Sequence, residues 1–138
     1  MAEDDLDEAL RRTDPDRWLS SRFIADPAAR ADVVALYAFD HELDRAVAVA
    51  SNGLIAEIRL TWWREILDQI DRGLAVRRHP VAEALAAAVR RHDLPRSLLE
   101  AMIDARIEIL DLAILDADAA FHWADAVGGG AAVLAARV

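Results

Sequence analysis

Apolar positions in this chain recur every three to four residues, and β-branched residues never alternate cleanly with polar ones. The first period marks an amphipathic helix; alternation would have marked a half-buried strand. Val33, Val34, Leu36, Tyr37 and Leu43 predict a buried stripe on a helix from Pro27 to about Ala50. Ile55, Ile58, Trp62, Ile66 and Ile70 predict a second stripe on a helix from about Leu54 to Arg72. Leu98, Leu99, Met102, Ile103, Ile107, Leu110 and Ile114 predict a third, following Pro95. A short helix carrying Trp18 and Leu19 opens at Asp14-Pro15-Asp16, another runs from Pro80 to about His92, and a last one from near Ala119 to Val138. The expected fold class is all-α, a bundle of about six helices.

The breaks agree with that pattern. The four prolines, at 15, 27, 80 and 95, each follow a polar residue or sit at the head of a helical stretch. Proline fits a first turn, where its missing N–H had no partner. Ser51-Asn52-Gly53 separates two helices, Gly73 caps the end of one, and Asp116 to Asp118 form a short break. Residues 1–13 read as an acidic leader, either frayed or a short helix, ahead of one helical domain over 14–138. Gly128-Gly129-Gly130 invites a kink or a closely packed neighbour in the last helix, because glycine costs a helix up to about 1 kcal/mol relative to alanine.

Composition narrows the function classes. The 138 residues include 16 Arg, no Lys, 25 acidic residues and no Cys, for a net charge of −9. Without cysteine there are no disulfides, thiolate nucleophiles or cysteine-held metals. An acidic chain is a poor nucleic-acid binder, since phosphate neutralisation needs surplus cations. Although 55% of residues are hydrophobic, the longest charge-free runs fall far short of the roughly 20 residues that span a bilayer, so no transmembrane segment is expected. The acidic N-terminus lacks the basic start of a secretory signal. The expected location is the cytoplasm, with peripheral membrane contact left open through the apolar last helix.

Three groups of residues could carry chemistry. Asp40 and Asp44 stand at i and i+4 on one helix face, about 5–6 Å apart at Cβ. That spacing suits a shared Mg²⁺, and it equally suits a solvated acidic face. Arg59, Trp62, Trp63 and Arg64 form a charged-aromatic segment, readable as an aromatic wall facing an anion or as core packing with a cation–π contact. Arg77-Arg78-His79 and Arg90-Arg91-His92 could bind phosphate or complement helix ends, while Asp104, Arg106, Glu108 and Asp111 read as an intrahelical ion-pair pattern. No nucleophile–base motif, phosphate-cradling glycine loop or HExxH is present.

The run from Asp32 to Phe39 resembles the first helix of the squalene/phytoene synthase family. Ile58 to Glu65 is similar to that family's segment ending in Trp-Arg-Glu, and His79-Pro80-Val81, Leu94-Pro95 with Met102-Ile103-Asp104, and Trp123 to Val138 follow in the family's order. The resemblance covers nearly the whole chain, as the N-terminal half of an all-α isoprenoid synthase fold. It implies enzymes that join two prenyl diphosphates head to head with Mg²⁺ held by two Asp-rich motifs. Here the first motif is degraded. Its register falls on Asp44-Arg45-Ala46-Val47-Ala48, keeping only Asp44, with Asp40 one turn earlier. The second motif belongs to a C-terminal half beyond Val138. The departures resemble a phytoene-synthase-like branch that includes assembly factors of respiratory complex I.

Two functions are therefore expected as alternatives. One is a non-catalytic binding or assembly module. The other is a prenyl-diphosphate-binding transferase, or half of one, whose partner chain supplies the second Asp-rich motif. A fragment without a function of its own is the bland third. In the transferase reading Asp40 and Asp44 hold Mg²⁺, Tyr37 lines the pocket, Arg59 or Arg64 reaches diphosphate oxygens, and Trp62 or Trp63 shelters the apolar tail. Half a bundle leaves apolar faces bare, so a homodimer, or a chain supplying the missing half, is the expected partner.

Overall fold

The computed structural model describes residues 2–48, 53–111 and 130–138. Seven helices occupy the described residues: α1 (Ala2–Thr13), α2 (Pro15–Ser21), α3 (Pro27–Ala48), α4 (Gly53–Asp71), α5 (Pro80–His92), α6 (Arg96–Asp111) and α7 (Gly130–Arg137). No strand occurs among them. The expected break at Ser51-Asn52, the last turns around Ile114, the start of the last helix near Ala119, and Gly128-Gly129 lie outside the described residues.

Local chemistry sets the helix ends. Pro15, Pro27 and Pro80 are the first residues of α2, α3 and α5, and Pro95 immediately precedes α6. The Asp14 carboxylate accepts from the Arg17 N–H at 3.1 Å, and His79 Nδ1 accepts from the Val81 N–H at 3.2 Å. Both side chains satisfy donors that a helix start leaves open. Gly73 ends α4 at a φ of 70°, and the Leu74 N–H reaches back to the Gln69 carbonyl at 2.9 Å. Such a closure needs a left-handed residue, which glycine supplies without strain.

Helix α3 is the centre of the bundle and touches every other helix. Val33, Val34, Leu36, Phe39 and Leu43 are buried along it. Helix α6 lays Leu99, Met102 and Ile103 against the core, α5 adds Val81 and Leu85, and α7 adds Ala131 and Leu134. At Asp32, buried on α3, Arg91 and His92 from the end of α5 donate to one carboxylate oxygen, the His92 Nε2 at 2.8 Å. These two basic residues tie helices together in addition to complementing a helix end.

Two expectations need correction. Of the two forms open to the acidic leader, it takes the helical one. Leu6 and Leu10, one turn apart, enter the common core, each burial stabilising by about 1.5–3 kcal/mol. Asp7 accepts from Trp18 Nε1 at 3.0 Å and pairs with Arg22. The packed helices thus begin ahead of residue 14. The second correction concerns α4. Its buried face is Ala56, Leu60, Trp63, Ile66, Leu67 and Ile70, whereas Ile58 is 61% exposed. The helix is apolar on more than one side, so the pattern alone admitted two faces and the neighbours chose between them.

Candidate functional site

The expected metal ligands lie at a junction of three helices. Asp40 is buried and Asp44 exposed on α3. Arg106, on α6 and only 1% exposed, reaches both. Its Nη2 donates to Asp40 Oδ1 at 2.7 Å and to Asp44 Oδ1 at 2.9 Å. Its Nε donates to Asp44 Oδ1 at 3.1 Å and its Nη1 to the Met102 carbonyl at 3.1 Å. From α2, Arg17 Nη1 donates to the remaining Asp40 oxygen at 2.7 Å. Two guanidinium groups thus balance two carboxylates. Burial works against the charge on Arg17, but its hydrogen bond to Asp40 and the nearby acids outweigh that and raise its pKa above the ordinary value.

This arrangement does not fit the Mg²⁺ that the Asp spacing suggested. Both oxygens of Asp40 already accept from guanidinium groups, and a divalent cation would meet the positive charge of Arg106. Asp44 keeps one oxygen without such a bond, beside the same guanidinium. No group of three or more His, Asp or Glu is placed to hold a metal among the described residues. Tyr37 lies on this side of α3, beneath the Arg17 guanidinium at 4.9 Å, rather than in the aromatic pocket.

The sequence reads Arg106 as part of an intrahelical ion-pair pattern. Its place on the α6 stripe, four residues after Met102 and three after Ile103, was the available signal that it points inward. Asp104, expected to pair within its own helix, instead pairs with Arg64 of α4. That contact places Arg64 on the α4–α6 surface and separates it from Arg59. Arg17 gave no signal, since it meets Asp40 only through the tertiary fold.

The aromatic segment builds a second, open site. A cavity of about 420 Å³ is lined by Glu42, Arg45 and Ala46 of α3, Arg59, Trp62 and Trp63 of α4, and His79 at the head of α5. Trp63 is buried and meets Phe39 edge-on, with ring centres 5.3 Å apart. Trp62 is half-buried and stands at 84° to Trp63, 4.8 Å away. The adjacent pair splits in burial as a helix requires: Trp63 enters the core while still lining the cavity, and Trp62 is the more exposed wall. The His79 ring lies 5.4 Å from each indole. His79 thus serves both as helix cap and as cavity wall, where its sequence neighbours suggested only a basic cluster. Of the expected ligand-binding residues, the fold gathers Arg59, Trp62 and Trp63, and leaves Tyr37 and Arg64 elsewhere.

No described helix is long and apolar enough to cross a membrane. NADH dehydrogenase (ubiquinone) complex I, assembly factor 6, of Bos taurus is 35% identical over 105 residues, which cover 75% of this chain and 31% of that protein. The Homo sapiens protein of the same name is 33% identical over 105 residues, with the same coverage. The chain thus spans about a third of the length of these curated relatives. The squalene/phytoene synthase family profile matches residues 10–138, through the central helix α3, the Trp62-Trp63 segment and the Arg106 helix alike, and the chain belongs to the squalene/phytoene synthase family.

Proposed function

We propose that this chain is a non-catalytic member of its family, acting as a binding or assembly module. The observation that carries the reading is the Arg106 guanidinium lying between Asp40 and Asp44. Head-to-head prenyl transfer in this family depends on carboxylates that offer their oxygens to Mg²⁺, and here both oxygens of Asp40 and one of Asp44 accept from arginine. The name assembly factor, borne by relatives that match three quarters of the chain, agrees with a protein partner in place of a lipid substrate.

A second reading keeps the chain as a prenyl-diphosphate-binding half of a transferase, completed by another chain. Arg59 beside Trp62 and Trp63 favours it, because a guanidinium suits a diphosphate and indole walls suit an apolar tail. A homodimer covering the outward side of α7, where Val133 is 47% exposed, belongs to either reading. Sedimentation at micromolar concentration checks that dimer.

Isothermal titration with farnesyl diphosphate, with and without Mg²⁺, separates the two functions. The non-catalytic reading expects no Mg²⁺-dependent heat and no shift in Tm on adding Mg²⁺. Micromolar binding that requires Mg²⁺, and that Asp44→Ala removes while the fold persists, would establish the transferase reading instead.

A further inference from the structure

Helix α5 has a histidine at each end, and the two make opposite demands on a proton. His79, at the N-terminal end, accepts the Val81 N–H on Nδ1 at 3.2 Å. That nitrogen must be bare to accept, so the capping ring is neutral and carries its hydrogen on Nε2. Val81 is buried, and its N–H has little water to turn to if the cap is lost. His92, the last residue of the helix, donates from Nε2 to Asp32 Oδ2 at 2.8 Å. That bond survives protonation, and the buried carboxylate attracts an imidazolium more strongly than a neutral ring. The helix dipole adds to both preferences, since its N-terminal end disfavours a cation and its C-terminal end favours one.

The neighbouring charges leave these preferences in place. Around His79 stand Glu42 and Arg45 of α3, Arg59 of α4, and Glu83 in the first turn of α5. Arg77 lies over the Trp62 ring and pairs with Glu65, and Arg78 precedes His79 in the chain. Both signs are present, so this set does not choose a protonation state, and the cap does. The Trp62 and Trp63 rings, each 5.4 Å from His79, attract an imidazolium. That attraction acts on the ring and restores nothing to the Val81 N–H. At the other end Arg91 shares the Asp32 oxygen with His92, and Asp4, Asp7, Arg22 and Arg30 line the same depression. Asp7 is paired with Arg22, and Arg30 donates to the Ile24 carbonyl. The Arg91 side chain is half exposed, so solvent weakens its repulsion of His92, whereas the Asp32 contact is largely sheltered.

We propose that α5 is a pH-sensitive lever: on acidification its N-terminal end releases from Val81 and the Trp62–Trp63 cavity, while its C-terminal end tightens on Asp32. Histidine is the side chain whose charge ordinarily changes between about pH 8 and pH 5. An interaction confined to the neutral ring is lost as that ring gains a proton, so the His79 end weakens as pH falls. An interaction strengthened by the cation grows over the same range, so the His92 end gains. The two ends lie about 20 Å apart, the length of a 13-residue helix, and act independently. Acid thus loosens one wall of the aromatic cavity without detaching the helix from the bundle. The device belongs to the fold and holds under either functional reading.

Urea titration of the full chain at pH 8 and about pH 5.5 tests the lever with His79→Asn and His92→Gln. Asparagine keeps a capping oxygen that does not titrate, and glutamine keeps a neutral N–H donor for Asp32. Relative to wild type, His79→Asn should gain stability on acidification and His92→Gln should lose it. His41 and His122 are present in all three proteins, so their titration cancels in the differences. Nitrogen-15 NMR of the wild-type protein gives a local readout that needs no variant to fold. The His79 ring should show a bare Nδ1 at pH 8, and protection of the Val81 amide should fall about fivefold by pH 5.5, the worth of an N-cap. In His79→Asn that protection should not change. A protonated Nδ1 at pH 8, or a wild-type Val81 amide whose protection ignores pH, would overturn the proposal. So would stability differences that move in the same direction for the two variants, or a His79→Asn difference that pH leaves unchanged.

Discussion

The two sides of α3 use arginine in opposite ways. Towards α6, Arg106 is fully buried, makes four hydrogen bonds and is matched by carboxylates. Towards α4, Arg59 is exposed, has no acidic partner among the described residues, and borders an aromatic cavity. The first arrangement is closed: its charges are committed to holding α2, α3 and α6 together. The second is open: its charge and apolar surface are available to a ligand or partner. A buried ion pair whose members are all satisfied contributes little net stability, but removing one member strands the rest. An exposed arginine on a helix surface contributes little to stability in any case. The comparison teaches that substitutions at the closed junction should register in stability and those at the open face in binding.

The largest effect is expected at the junction. Arg106→Met leaves Asp40 buried with only Arg17 as counter-charge, and should lower unfolding stability by about 3–5 kcal/mol, measured by urea titration. Adding Asp40→Leu to that variant should recover part of the loss, because two apolar groups then meet where a lone charge was stranded. If Arg106→Met unfolds at the wild-type urea midpoint, the junction does not hold the helices together.

The tryptophan pair carries the comparison within one dipeptide. Trp63→Ala empties a core position beside Phe39 and should cost about 3–5 kcal/mol. Trp62→Ala removes a half-buried ring and should cost clearly less, while reducing any binding at the cavity more strongly. Equal losses of stability for the two would contradict the split between core and cavity. At the open rim, Arg59→Glu should change stability by no more than about 0.5 kcal/mol in the same titration. A larger loss would mean that Arg59 belongs to the fold after all.

The smallest effect is a pH dependence at the first helix. The Glu8 carboxyl is held below its ordinary value by the Arg11 hydrogen bond and charge. A carboxyl with a lowered folded-state pKa adds stability above its unfolded value and loses it as pH falls through the folded one. Glu8→Gln should therefore lower stability slightly at neutral pH, leave it unchanged at pH below the folded-state pKa, and so flatten the acid side of the stability–pH curve. Because the pair is fully in solvent, 0.5 M salt should erase the difference.

Much of the fold was legible one helix at a time. Three prolines at first turns, the Gly73 cap and the stripes of α3 and α6 are local features, and local sterics and hydrogen bonding set them. The choice of face on α4 was not local. Its sequence offers Leu60-Trp63-Leu67 and Leu54-Ile58-Trp62 as rival apolar stripes, and only packing against α3, α5 and α6 decided which one left water. Helix α1 was obscured by its acids, although Leu6 and Leu10 stand one turn apart.

The candidate site divides in the same way. The sequence by itself determined the family, the helical class, and the clustering of Arg59, Trp62 and Trp63 on one short segment, because residues within two turns of a helix are neighbours in any fold. The tertiary structure alone decided that Arg106 would answer Asp40 and Asp44 across 66 and 62 residues of chain, with Arg17 completing the match. A helical period says that a carboxylate pair shares a face. It does not say which cation that face will meet, and that identity follows only when distant helices are brought within hydrogen-bonding distance.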